Sequence, residues 1–166
     1  YSPVKYIITL ILAVCQRYSC CIHDDMVKIL LVEDNEVDAF IAQKVILMSG
    51  ADVRLEIAED VSQALTLLTN QYLNSHELPD LILVDQFMPL ADGMQFLDAF
   101  AALDIPGKDK VVTMMLTSSI DPHLTAEAMR HGAHGLIPKP ISIPMIAELI
   151  TRALPSDPMV SKDPIS

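Results

Sequence analysis

The chain has 166 residues, of which 51% are apolar and only 5% aromatic, with no Trp; one domain with short extensions can therefore bury a core of aliphatic side chains and some of the nine methionines. The formal net charge of -11 disfavours nucleic acid and anionic lipid as partners, and no basic stripe or aromatic–basic interleaving opposes that field. All three cysteines (Cys15, Cys20 and Cys21) fall in the first 21 residues, which excludes a disulfide framework for the rest and suits a reducing, cytoplasmic location.

Residues 1–25 differ in pattern from the rest of the chain. Ile7 to Val14 is apolar and flanked by Lys5 and Arg17. It is far shorter than the roughly 20 residues that span a bilayer, and no clear small-x-small cleavage site comes after it. No membrane span is expected, and 1–25 reads as an N-terminal extension of unclear role. The patterned region is 26–154, and 155–166, rich in Pro, Ser and Asp, reads as a flexible tail.

Strand and helix patterns alternate five times in the patterned region. Val27–Val32 is a β-rich run, followed by Val37, Phe40, Ile41, Val45 and Met48 at helical spacing up to Gly50. Val53–Ala58 is the second strand. Asp60 can cap a helix whose inner face is Val61, Ala64, Leu65 and Leu68. Leu81–Val84 is apolar without alternation, as in a strand buried on both faces. Phe96, Leu97 and Phe100 mark a third helix, Val111–Leu116 a fourth strand, and Asp121-Pro122 the cap and first turn of a fourth helix that ends at Gly132. Leu136 and Ile137 form a short fifth strand, and Ile146, Leu149, Ile150 and Ala153 stripe the last helix. This predicts an α/β fold: a doubly wound, parallel five-stranded (βα)5 sheet of flavodoxin-like type, in strand order 2-1-3-4-5.

Ligands of such sheets bind at the carboxyl ends of the strands. There the chain delivers Glu33 and Asp34 after strand one, Asp85 after strand three, Thr117 and Ser118 after strand four, and Lys139 after strand five. Acids often cap the helices that come after strands, which explains any one of these residues alone. Three carboxylates at one edge, however, repel each other unless a cation neutralises them, and an all-oxygen set suits Mg2+. Lys139 and the Thr117 hydroxyl would stabilise the oxygens of a phosphoryl group arriving on one carboxylate.

Val32-Glu33-Asp34-Asn35, Asp85 with Met88-Pro89 and Asp92-Gly93, Leu116-Thr117, and Gly132-Ala133 leading to Lys139-Pro140 together resemble the signature of response-regulator receiver domains, CheY-like and single-domain, over roughly Val27 to Leu154. The resemblance implies that Asp85 accepts the phosphoryl group, and that Glu33, Asp34, Asp85 and the backbone carbonyl of Phe87 hold Mg2+, with Mn2+ as an alternative. It makes Thr117, Ser118 and Lys139 the phosphate-binding and switch residues, with a cis bond before Pro140. It implies a histidine kinase or histidine phosphotransfer protein upstream and a protein target downstream, met by the face from about His123 to Leu154. A monomer or a phosphorylation-dependent dimer is expected, and the acidic charge predicts no nucleic-acid binding.

Three positions depart from the family pattern. Leu136 stands where many receivers carry an aromatic switch residue. Phe87 and Ser119 offer no group to position an attacking water, and a bulky Phe87 is expected to shield the acyl phosphate and lengthen its life. Glu33 replaces the commoner Asp.

A Mg2+-dependent phosphatase with an aspartate nucleophile is the enzymatic alternative; it resembles Asp-x-Asp, and Phe87 occupies the place of its second, acid residue. A flavin module on the same fold would need a phosphate-binding loop where Glu33-Asp34-Asn35-Glu36 would repel phosphate. A receiver cut from a hybrid kinase also remains open, since the chain begins at Tyr1. The five histidines show no metal-ligand spacing.

Overall fold

The computed structural model describes residues 26–119 and 121–153. The strands β1 (Val27–Val32), β2 (Val53–Ala58), β3 (Leu81–Asp85), β4 (Val112–Thr117) and β5 (Gly135–Pro138) form one parallel sheet in the order 2-1-3-4-5. Helices α1 (Glu36–Leu47), α2 (Val61–Ser75), α3 (Gly93–Ala102), α4 (Pro122–Arg130) and α5 (Ile143–Ala153) succeed the strands in turn. The architecture is the expected (βα)5 one. The sequence-assigned N-terminal extension and C-terminal tail lie outside the described residues.

The sheet separates two apolar layers. On one face Leu30, Val32, Ile82 and Val84 meet Leu68 of α2 and Phe96, Leu97 and Phe100 of α3. On the other, Ile29, Leu31, Leu81 and Leu83 meet Ala42 and Ile46 of α1 and Ile146 and Ile150 of α5. Successive side chains of a strand point to opposite faces, so a strand covered on both sides needs apolar residues throughout. All of β3 is buried, Asp85 included. Each such Leu or Ile contributes about 1.5–3 kcal/mol on burial, which holds β3 firmly at the centre of the sheet.

The first four helices that leave the carboxyl edge are capped by side chains. Asn35 Oδ1 accepts from the backbone N–H of Val37 and Asp38, Asp60 from Gln63, and Asp121 from Leu124. Asp92 and Gln95 form a reciprocal capping box on α3. Several acids near this edge are thus occupied as caps, and the remainder are available for chemistry.

Helix α1 departs from the simple reading of its periodicity. The helix buries Ala39, Ala42 and Ile46, whereas Val37, Phe40, Ile41 and Met48 are exposed. The small alanines let α1 lie close against the sheet, and the larger stripe faces outward.

Candidate functional site

The site is assembled by sheet register. Val32 pairs with Val84, Asp85 with Leu116, and Thr117 with Pro138. The residues that end β3 and β4, and those just past β1 and β5, therefore converge on one edge. Backbone bonds fix the loops there: Glu33 N–H donates to Ala58 O (3.0 Å), and Lys139 N–H donates to Thr117 O (2.8 Å).

Glu33, Asp85 and Thr117 are buried, with 2%, 6% and 1% of their surface exposed, while Asp34 is exposed. Glu33, Asp34 and Asp85 each present an oxygen, and these atoms all lie within 4.8 Å of one another. Lys139 Nζ reaches into the same cluster, 2.6 Å from Glu33 Oε2, 2.8 Å from Asp85 Oδ1 and 3.1 Å from Asp38 Oδ2. Only the Asp38 contact has hydrogen-bond geometry, and Glu33 Oε2 is buried without a hydrogen bond. Glu33 and Lys139 form a close ion pair.

The electrostatics arise from crowding. Burial raises the Glu33 pKa above 4.5; Lys139 opposes that rise and Asp85 adds to it. Burial also works against the Lys139 charge, but close contact with Asp85 and Glu33 and attraction to both carboxylates outweigh it and hold the ammonium pKa well above 10.5. Among the described residues, four carboxylates (Glu33, Asp34, Asp38 and Asp85) thus face a single ammonium. A hard divalent cation fits this set: the donors are oxygens, three carboxylates bring them within 4.8 Å of one another, and the exposed Asp34 leaves room for the waters that Mg2+ retains.

Replacing Lys139 with Met tests this balance. Removing one partner of a buried ion pair costs about 3–5 kcal/mol, and a loss of about 1–3 kcal/mol is expected here because Lys139 is not fully buried and Glu33 can take up a proton. The Lys139 pKa is raised on folding, so its stabilisation is complete below pH 10.5 and is lost as pH climbs through the higher folded value. On the acid side Glu33, whose pKa burial raises, takes up a proton and its pairing with Lys139 is lost. Thermal unfolding followed by circular dichroism should show the widest gap between wild type and Lys139→Met near neutral pH and a narrowing gap towards pH 4.5. A gap independent of pH would mean that the lost stability is packing, not charge.

The other anticipated residues are distributed differently. The Thr117 hydroxyl bonds to the carboxamide of Gln86 and to the backbone of Ser119, with no hydrogen bond to Asp85. Ser118 is exposed and lines an open cleft of about 270 Å3 with Glu33, Asp38, Ile41, Lys139 and Pro140. The Lys139–Pro140 bond is cis. Leu136 is half-buried and packs against the core layer that contains Met115 and Ala128. Phe87 is 70% exposed, two residues after the buried Asp85.

Two residues of the site were not anticipated. Asp38 could have been found, since it lies in the acidic first turn of α1, shortly after Asp34 at the same sheet edge. Gln86 carried no signal, because a Gln after a strand-end Asp has no characteristic spacing.

Comparison with known proteins is consistent with this geometry. The response regulator receiver domain family matches residues 29–151. A two-component response regulator from Cytophaga hutchinsonii superposes with a TM-score of 0.71 at 24% identity, covering 78% of this chain and 98% of that one. One from Legionella pneumophila gives 0.66 at 25% identity, covering 76% and 97%. The Mn2+-bound form of response regulator Rcp1 gives 0.56 at 26% identity, covering 75% and 89%.

Proposed function

The chain belongs to the response regulator receiver family of two-component signalling, and from that membership we propose that it carries a phosphoryl group on Asp85, taken from a phosphohistidine of a histidine kinase or phosphotransfer protein. The observation that carries this reading is the convergence of Glu33, Asp34, Asp85 and Lys139 on one sheet edge, with the Thr117 hydroxyl at the end of the adjacent strand.

In the transfer, an Asp85 carboxylate oxygen forms a bond to phosphorus as the bond from phosphorus to the donor imidazole breaks, and the electron pair returns to the imidazole. Lys139 Nζ, 2.8 Å from Asp85 Oδ1, holds that carboxylate in place and offsets charge as the phosphoryl group arrives. Asp34 and Asp85 with the Phe87 carbonyl, supported by Glu33, would hold Mg2+ or Mn2+, which supplies charge neutralisation for the phosphoryl oxygens. Thr117 would then rotate its hydroxyl to the phosphoryl group and draw the loop after β4 with it, shifting a pre-existing equilibrium of forms.

Two surfaces suit two partners. Val37, Phe40 and Ile41 form an exposed apolar face on α1, beside the cleft that reaches Lys139. This face is placed for the phosphodonor, whose histidine must come within bonding distance of Asp85. The face of α4, β5 and α5 remains the proposed output surface, because the Thr117 loop leads directly into α4 and Leu136 lies on β5.

Intact mass spectrometry tests the assignment of chemistry. Incubation with Mg2+ and acetyl phosphate is expected to add one phosphoryl group to the chain, and a chelator is expected to prevent it. A chain that stays unmodified while binding Mg2+ would count against phosphoryl acceptance from small donors and leave only the fold.

A further inference from the structure

The Thr117 hydroxyl is held by two neighbours at once. It has the Gln86 carboxamide oxygen and the Ser119 carbonyl (2.9 Å) as acceptors, and it receives the Ser119 N–H (3.2 Å). Gln86 is also anchored at its backbone. Its N–H donates to Leu116 O (2.9 Å) on β4, and its carbonyl accepts from Gly93 N–H (3.0 Å) at the start of α3. The carboxamide therefore projects from a fixed point, immediately after Asp85, towards the last residue of the adjacent strand.

We propose that Gln86 is a positioning residue, a latch that holds the Thr117 hydroxyl, and with it the loop after β4, in the resting arrangement until a phosphoryl oxygen on Asp85 displaces it. The inference rests on the proposed role of Thr117 and adds a competitor for its hydroxyl proton. A hydroxyl has one proton to donate. Gln86, Ser119 and an arriving phosphoryl oxygen are rival acceptors, so engagement with phosphate requires release from Gln86. A neutral hydrogen bond of ordinary net strength biases such a two-state equilibrium by about fivefold. Gln86 is half-buried and is not among the carboxylates that could hold a cation, so its substitution leaves that set intact.

The test uses the full chain with Gln86→Met, which keeps length and removes the acceptor, and the pair Thr117→Val and Gln86→Met/Thr117→Val. Beryllium fluoride with Mg2+ serves as a non-hydrolysing phosphoryl mimic, read by methyl NMR of Thr117, Leu136 and Ile137 and by calorimetry. Without mimic, Gln86→Met is expected to move these signals part of the way towards the mimic-bound wild-type positions. It is also expected to bind the mimic about fivefold more tightly with unchanged Mg2+ affinity, and the gain should vanish in the Thr117→Val background. Wild type that responds to the mimic while Gln86→Met neither shifts nor tightens overturns the latch alone. A gain that persists in Thr117→Val also overturns it, since the effect then bypasses the hydroxyl. Wild type that binds Mg2+ but not the mimic overturns the reading of Asp85 and the latch together.

Discussion

Asp85→Asn is expected to abolish phosphoryl uptake from acetyl phosphate while leaving the fold in place. Asn has nearly the volume of Asp, and its carbonyl oxygen can still meet Lys139 Nζ, which lies 2.8 Å from Asp85 Oδ1. What disappears is the anionic nucleophile and one of the three carboxylate donors of the cation cluster. Mg2+ affinity should therefore fall, with the melting temperature in metal-free buffer changed by only a few degrees. Asp85 is the right target for physical reasons that separate it from its neighbours. Asp34 is exposed and has no ion pair with Lys139 among the described residues. Glu33 lies in the buried wall just past β1, its carboxylate set 2.6 Å from Lys139 Nζ. Asp85 alone ends the central strand, touches Lys139 and neighbours the strand that ends in Thr117. Intact mass of wild type and variant decides the matter. A full phosphoryl adduct on Asp85→Asn would move the acceptor to Asp34 or Asp38 and reverse the roles assigned here.

The fold was legible because its strongest signals are not local compromises. Leu81 to Val84 can be apolar throughout only if both faces are covered, and the register that results from covering them places the strand ends together. The carboxylate cluster was legible for the same reason: once the strands are parallel and ordered, Glu33, Asp34, Asp85 and Lys139 have one edge to occupy. Two features were not legible. The apolar stripe of α1 looks like a buried face, yet Ala39 and Ala42 pack on the sheet and Phe40 does not. Periodicity reports that a helix has an apolar stripe, not whether the sheet or a partner covers it. The second concerns short polar contacts. Asp38 reaches Lys139 across 101 residues of chain, and Gln86 reaches Thr117 across 31. Such contacts depend on side-chain rotamers and on the few ångströms between neighbouring loops, which spacing along a sequence does not encode.

Gly93→Ala is expected to damage the site from behind, by moving Asp85 without touching its carboxylate. A Cβ built on Gly93 would lie 2.5 Å from the backbone oxygen of Asp85, 3.3 Å from its carbonyl carbon and 3.2 Å from the end of the Met115 side chain. The Met side chain can yield, but the carbonyl cannot, because it belongs to a fully buried strand. Either β3 gives way at its last residue or α3 backs off, and α3 is tied to the site by Gly93 N–H donating to Gln86 O (3.0 Å). Overpacking of this kind costs about 1–3 kcal/mol. Displacing a reacting group by about 1 Å costs roughly a hundredfold in rate. The rate of mass gain with acetyl phosphate should therefore fall by one to two orders of magnitude in the fraction that remains folded. Gly50→Ala supplies the control. Gly50 has a φ of +82° and nothing within 4 Å of an added Cβ, so alanine there meets backbone strain of about 1–2 kcal/mol and no clash. It should lose comparable stability and keep the wild-type rate of phosphoryl uptake. Equal rates for Gly93→Ala and Gly50→Ala at matched folded fractions would show that Asp85 tolerates the displacement and that the glycine serves the helix, not the acceptor.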